Sequence, residues 1–254
     1  MELVRVSAVS YLNTLPFQYG FKYGPQIAMD LSLDNPAECA QKLIDGVASV
    51  GLIPVATLPL LPEHSIITDY CIAADGAVRT VMLYSDVPIE EIETIWLDYQ
   101  SRTSVNLCRI LCAEHWKVQP RSRAASAGFE SRFSGREAAV IIGDRTFHLE
   151  REYAYVYDLA ETWKDFTGLP FVFAAWVAHA SVPQEFTKAF NEVLKFGMDR
   201  KEEAIAKYLE ENDDPGDLRG YLTENIDHEW NTGMAEALQL FLQKLSNLPP
   251  LPTS

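Results

Sequence analysis

Apolar and polar positions fall into blocks along the chain, and the blocks predict strands alternating with helices. Leu3 to Val9 has the character of a first strand, and Ser10 to Pro16 is a polar turn. Phe17 to Gly24 shows no clear period. Ile27 to Leu33 reads as a second strand. Asp34, Asn35 and Pro36 then open a helix, with a capping residue and a proline at the first helical position, and Gly46 closes it. Val47 to Pro54 is a short buried strand. Strand, helix and strand with such tight punctuation make a βαβ unit, which requires parallel pairing. Ser65 to Ile72 and Val78 to Tyr84 read as further strands.

A second block repeats the alternation. Thr94 to Leu97 is a strand, and Thr103 to Trp116 a helix with Val105, Cys108, Leu111, Cys112 and Trp116 on one face. Ala138 to Ile142 and Tyr153 to Tyr157 are strands. Asp158 to Phe166 is a short helix stopped by Gly168 and Pro170, and Phe171 to Ala178 is a very apolar strand. The last third is helical. Phe186, Phe190, Val193 and Gly197 share one face, Ile205, Tyr208 and Leu209 mark a second helix, and Met234, Leu238, Phe241 and Leu245 a third. The Pro-rich end, NLPPLPTS, is expected to be a mobile tail.

These elements predict an α/β protein of two lobes around a central cleft. Residues 1–85 and 175–254 are expected to form a discontinuous first lobe, and residues 86–174 the second, with Val78 to Tyr84 and Phe171 to Ala178 carrying the crossings. Ligands of open α/β sheets bind beyond the carboxyl ends of the strands. One such end carries an unusual cluster: Ser101, Arg102, Thr103 and Ser104 stand between a strand and a helix. One hydroxyl suffices to cap the helix, and Thr103 is a candidate for that role. The others, with the free N–H groups of a helix N-terminus, suit a carboxylate or phosphate.

Composition narrows the partners. The 254 residues are 48% hydrophobic, enough for a full core and for one large domain or two lobes, and the formal net charge of −15 argues against nucleic acid and anionic membrane surfaces. No apolar run reaches the length of a membrane span, and the first residues lack the pattern of a secretory leader, so a cytoplasmic location is expected. Cys39, Cys71, Cys108 and Cys112 form no zinc spacing and read as buried free thiols. The five histidines show no metal-site spacing.

Several stretches together resemble a known family. They are SYLNTLPF from Ser10, GLIPVATL from Gly51, ADGAVRTVML from Ala74, LDYQSRTSVNLCRIL from Leu97, IIGD from Ile141 and DLAETWKDFTGLPFVFAAWV from Asp158. In this order they are similar to the chorismate dehydratases of the futalosine route to menaquinone. The resemblance implies a type II periplasmic-binding-protein-like fold used as a lyase. Chorismate, a dicarboxylate, would lose water to give 3-[(1-carboxyvinyl)oxy]benzoate, with no metal or organic cofactor. It places Asn13, in the first turn, and Thr80 among the catalytic residues, and Gly76 and Ala77 beside the substrate with Ser101, Arg102, Thr103 and Ser104. Thr80 departs from the family's usual serine, keeping the hydroxyl and adding a methyl. Asp144, at a strand end, is the candidate base; the substrate's own enolpyruvyl carboxylate is the competing one. Asn13 could instead be an Asx-turn residue and Asp144 a turn residue. The alternatives are the pathway's 1,4-dihydroxy-6-naphthoate synthase, which shares the fold, and a non-catalytic solute-binding protein.

Overall fold

The chain begins with the βαβ unit that its pattern requires. β1 (Val4–Val9) leads through a single 3-10 turn, Leu12–Thr14, into α1 (Leu15–Tyr23), followed by β2 (Met29–Asp34), α2 (Pro36–Ile44) and β3 (Val50–Pro54). Asn35 caps α2: its side chain accepts from the Glu38 N–H while the Glu38 carboxylate accepts from the Asn35 N–H. β1 pairs in parallel with both β2 and β3. β4 (His64–Ala74) follows. The computed structural model describes residues 3–149 and 151–250 and divides the chain into two units.

Beyond β4 come β5 (Val81–Ser85), β6 (Thr94–Leu97), α3 (Arg102–Ile110), β7 (Arg121–Ala124), β8 (Glu137–Ile142), β9 (Tyr155–Asp158) and α4 (Leu159–Thr167). β10 (Phe171–His179), α5 (Gln184–Met198), α6 (Lys201–Glu211), the short α7 (Leu218–Gly220), β11 (Asp227–Glu229) and α8 (Thr232–Ser246) complete the chain. One sheet has the order β11-β4-β10-β3-β1-β2 and the other β7-β6-β8-β5-β9. The first unit takes the chain up to Ala73 and Phe173–Trp230; the second takes Ala74–Val172 and the chain from Asn231.

The expected lobe boundaries are corrected at two elements. β5, expected in the first lobe, pairs antiparallel with β8 (Val81 opposite Ile142) and with β9 (Leu83 opposite Tyr157) in the second sheet. α8 also belongs to the second unit, because Phe241 packs edge-on against Trp163 at 6.3 Å and Phe171 at 5.1 Å. The chain therefore passes between units three times, after Ala73, Val172 and Trp230, rather than twice.

The two cores differ in composition. In the first, Phe17, Trp176 and Phe190 are fully buried, with ring centroids 6.0 Å and 4.9 Å apart. In the second, Tyr84, Trp96, Phe129, Phe133 and Ile141 share one cluster. The α3 pattern runs on past Ile110 as a π-turn, Leu111–His115, within the range expected for one helix. Leu248 and Pro249 are joined to the second unit, where the Pro249 carbonyl accepts from Arg109; residues 251–254 of the expected mobile tail lie outside the described residues. Among the described residues no helix is long and apolar enough to cross a membrane.

Candidate active site

In the first unit the conspicuous feature is the turn that follows β1. Thr14 fixes it: the Thr14 hydroxyl reaches the carbonyls of Val9 at 2.7 Å and Tyr11 at 2.8 Å, and Gln18 Nε2 donates to Thr14 Oγ1 at 2.9 Å. Asn13 sits at the middle of the turn. Its carbonyl lies 2.8 Å from Nε2 of the buried His228. Its side-chain Oδ1 is buried and finds no hydrogen-bond partner among the described residues. An Asx turn would have that oxygen accept a nearby backbone N–H, so the structural reading of Asn13 loses its defining bond. Burial pushes the His228 imidazole down to about 3; the Lys201 ammonium acts in the same direction and the bond to Asn13 opposes both.

The turn is carried by α1, which lies unusually close to α5. A Cβ on Gly197 would stand 1.9 Å from the Pro16 carbonyl oxygen, and one on Gly20 would stand 2.3 Å from that of Val193. Only hydrogen at both positions permits this approach, and it anchors the helix start next to Asn13.

In the second unit three strand ends converge. The carboxyl ends of the parallel strands β6 and β8 lie beside the amino end of the antiparallel β5. Thr80, buried and immediately before β5, accepts from the Gly143 N–H through its carbonyl at 2.9 Å, and Asp144 is the next residue. Gly76 and Ala77 are on the loop leading into Thr80, where Gly76 has φ +127°. Asp158 pins this loop. One carboxylate oxygen accepts from the N–H groups of Val78 at 2.8 Å and Arg79 at 2.7 Å, while the other caps α4 through Ala160 and Glu161.

At the same sheet end, Ser101 is the cap of α3, accepting from the Ser104 N–H at 3.1 Å. This corrects the assignment of that role to Thr103, which lies inside the first turn. Ser101 Oγ also bonds Ser104 Oγ at 2.9 Å, and Ser101, Thr103 and Ser104 are all buried. A pocket of about 210 Å³ opens beside them, lined by Asp98, Tyr99, Ser101, Arg102 and Val105 among others. Asp98, fully buried at its side chain, ties the strand ends together: it accepts from the N–H groups of Gln100 and Ile142 and from Arg145 at 2.5 Å. Burial pushes the Asp98 carboxyl up, against the pull of Arg145. Arg145 also meets Glu130 at 2.6 Å.

Thr80, Asp144 and the residues Ser101 to Ser104 therefore share one end of one sheet, with Gly76 and Ala77 on the adjoining loop, and Asn13 stands at the carboxyl end of the parallel strands of the other unit. Sequence reasoning missed Asp98, Arg145, His228 and Lys201. Asp98 and Arg145 carried a usable signal, since Asp98 lies within a quoted motif and Arg145 directly follows one; His228 and Lys201 stand in polar sequence that gives no hint of their pairing. All four cysteines are buried and free, and burial pushes the Cys39 thiol up to about 12. Among the described residues no group of three or more His, Cys, Asp or Glu is placed to hold a metal.

Residues 4–247 match the family described as menaquinone biosynthesis. The chain belongs to that family. Within curated proteins, this menaquinone-biosynthesis family member is 28% identical over 190 residues to a chorismate dehydratase of Thermus thermophilus, covering 66% of this chain and 69% of that protein. Solved structures give the fold. A protein of Archaeoglobus fulgidus matches with a TM-score of 0.73 at 12% identity, over 96% of this chain and 97% of that one. The alkanesulfonate-binding protein of Xanthomonas axonopodis matches with a TM-score of 0.64 at 9% identity, over 98% and 95%. A Candida albicans protein described as having the generic periplasmic-binding-protein fold matches with a TM-score of 0.60 at 9% identity, over 98% and 92%. The fold is that of the periplasmic binding proteins, built here as two α/β units.

Proposed function

We propose that this family member is a chorismate dehydratase, a hydro-lyase of the futalosine route acting in the cytoplasm. The observation that carries the reading is the likeness, over two thirds of the chain, to a chorismate dehydratase; the buried, unpartnered amide oxygen of Asn13 supports it. In the reaction, the ring carbon bearing the enol ether loses its proton. The electron pair passes into the ring and hydroxide departs from the neighbouring carbon, taking up a proton to leave as water. The ring becomes aromatic, so the driving force resides in the substrate and the protein supplies position and electrostatics.

The residues take the following roles. The α3 N-terminus, with Ser101, Arg102, Thr103 and Ser104, receives a substrate carboxylate through N–H groups, hydroxyls and a guanidinium. Gly76 and Ala77 present backbone to the substrate. Thr80 supplies a hydroxyl near the reacting carbons, and the Asn13 amide engages the departing oxygen. Asp144 removes the ring proton.

The test is incubation of the purified chain with chorismate, following loss of the diene absorbance and the appearance by mass of a benzoate lighter by one water. Binding without turnover would return the chain to solute binding. Asp144→Asn should lower kcat by roughly 10² or more, the range for a lost general base. Retained turnover in that variant would transfer the role to the substrate's enolpyruvyl carboxylate.

A further inference from the structure

The turn that carries Asn13 is held by a buried imidazole and a half-buried ammonium that the proposed mechanism does not use. His228, on β11, is 2% exposed. Its Nε2 lies 2.8 Å from the Asn13 carbonyl oxygen and its Nδ1 lies 3.2 Å from Lys201 Nζ, at the start of α6. The Phe17 ring closes a third side, perpendicular to the imidazole at 88° with centroids 5.4 Å apart.

The donor rules settle the tautomer. An ammonium has only protons to give, so Nδ1 must be the acceptor; the single imidazole proton then sits on Nε2 and is donated to Asn13. A protonated ring would aim Nδ1–H at the ammonium, in accord with the strongly lowered imidazole basicity. Lys201 gives a second bond to the Leu222 carbonyl at 3.1 Å, which fixes the direction of its headgroup; burial lowers its basicity, while the carboxylates of Glu229 and Asp227, on β11, pull the other way and favour the ammonium. Lys201 and His228 thus form one directed chain of donors that ends on the carbonyl of Asn13, the residue whose side-chain oxygen has no partner among the described residues.

We infer that His228, fixed in one tautomer by Lys201, is a positioning residue that sets the Asn13 amide for catalysis. The inference rests on the chorismate dehydratase reading for the reaction concerned, and on geometry alone for the positioning.

The experiment uses the full chain with three substitutions. His228→Phe keeps the ring volume and removes the donor. His228→Gln restores a donor near the Nε2 position. Lys201→Met removes the group that fixes the tautomer. Nitrogen NMR of the imidazole should show Nε2 protonated and Nδ1 bare in the native chain, and a mixture in Lys201→Met. His228→Phe should lower kcat roughly tenfold or more while KM for chorismate stays within about twofold, since misplacing a reacting group costs rate before affinity. His228→Gln should recover most of kcat. Native kcat in His228→Phe would overturn the inference, as would equal losses in the Phe and Gln variants that track the melting temperature. If the native chain does not turn over chorismate, the functional proposal falls and the side-chain amide resonances of Asn13 decide the positioning. One sharp pair in the native and Gln chains, broadened in His228→Phe, sustains it; the same spectrum in all three overturns it.

Discussion

Asn13 is gripped by its backbone and unpartnered at its side-chain oxygen, an arrangement that costs stability unless something else fills the bond. A buried acceptor without a partner is unfavourable by about 1–3 kcal/mol. Asn13→Ala removes that acceptor, so its melting temperature should stay level or rise slightly. Turnover should fall by roughly 10² or more, because the substitution also removes the Nδ2 donor that the proposed mechanism directs at the departing oxygen, with chorismate binding largely kept. Calorimetric binding beside single-turnover product formation checks this, and parallel losses of affinity, rate and melting temperature would make Asn13 a turn former. At this scale the sequence was legible in chemical type but not in bonding. Four polar residues after β6 announced a helix start, yet which hydroxyl caps it depends on where the backbone leaves the extended region. Ser101 does so at φ −138° and ψ 109°, and the modest preference for serine over threonine at a cap is too small to decide between Ser101 and Thr103 on its own.

Elements were legible where one period ran unbroken and illegible where glycine or charge replaced it. The α2 cap and the β3 run show themselves in the letters. α1 does not: it buries Pro16, Phe17 and Gly20, and two of these three carry no helical signal. β7 is a four-residue edge strand written Arg-Ser-Arg-Ala, which has no strand character of its own and exists by pairing with β6. Gly197 lies on the core face that its helix pattern predicts, but its purpose appears only in the contact of α5 with α1. Gly197→Ala would drive a methyl into the Pro16 carbonyl, an overlap that no side-chain rotation relieves. It should cost about 3 kcal/mol in denaturant unfolding and reduce turnover, because Pro16 follows the Asn13 turn by two residues. An unchanged unfolding midpoint would mean the helices separate freely. In the second unit, Arg145→Ala should cost about 3 kcal/mol by leaving Asp98 buried without its ion-pair partner. Asp98→Asn combined with Arg145→Ala should recover part of that loss, and a double variant no more stable than Arg145→Ala would show that the carboxylate is not the source of the penalty.

At the scale of the whole molecule, the α/β alternation identified the fold class, and the quoted motifs identified the family, while the assignment of strands to sheets stayed hidden. β5 follows β4 with the same apolar character, but its partners β8 and β9 lie more distant in the chain, and no local pattern encodes that pairing. The stripe of α8 is likewise the same kind as that of α5, though the two helices serve different units. A property of the folded chain that follows from one buried and one half-buried site is its response to acid. His228 has its folded pKa lowered from 6.5 to about 3, chiefly by burial. Between those values the unfolded chain binds a proton that the folded chain refuses, so stability rises with pH through this window and is lost on acidification. The slope is at most about 1.4 kcal/mol per pH unit. Asp34 acts lower on the scale. Burial alone would raise its carboxyl, but bonds from Lys42, Ser32 and Ser7 outweigh that and lower it from 3.8, so its contribution is present above 3.8 and is lost as pH falls through the lowered value. The two windows separate the two groups. Urea unfolding at pH 7, 6, 5 and 4 should therefore show a steeper decline in the native chain than in His228→Phe, whose phenyl ring takes no proton. The two curves should converge towards acid even though the variant begins less stable at pH 7 for want of the bond to Asn13. Parallel curves across that range would mean that His228 titrates near its ordinary value, and would place it in contact with water rather than sealed between Lys201, Phe17 and the Asn13 carbonyl.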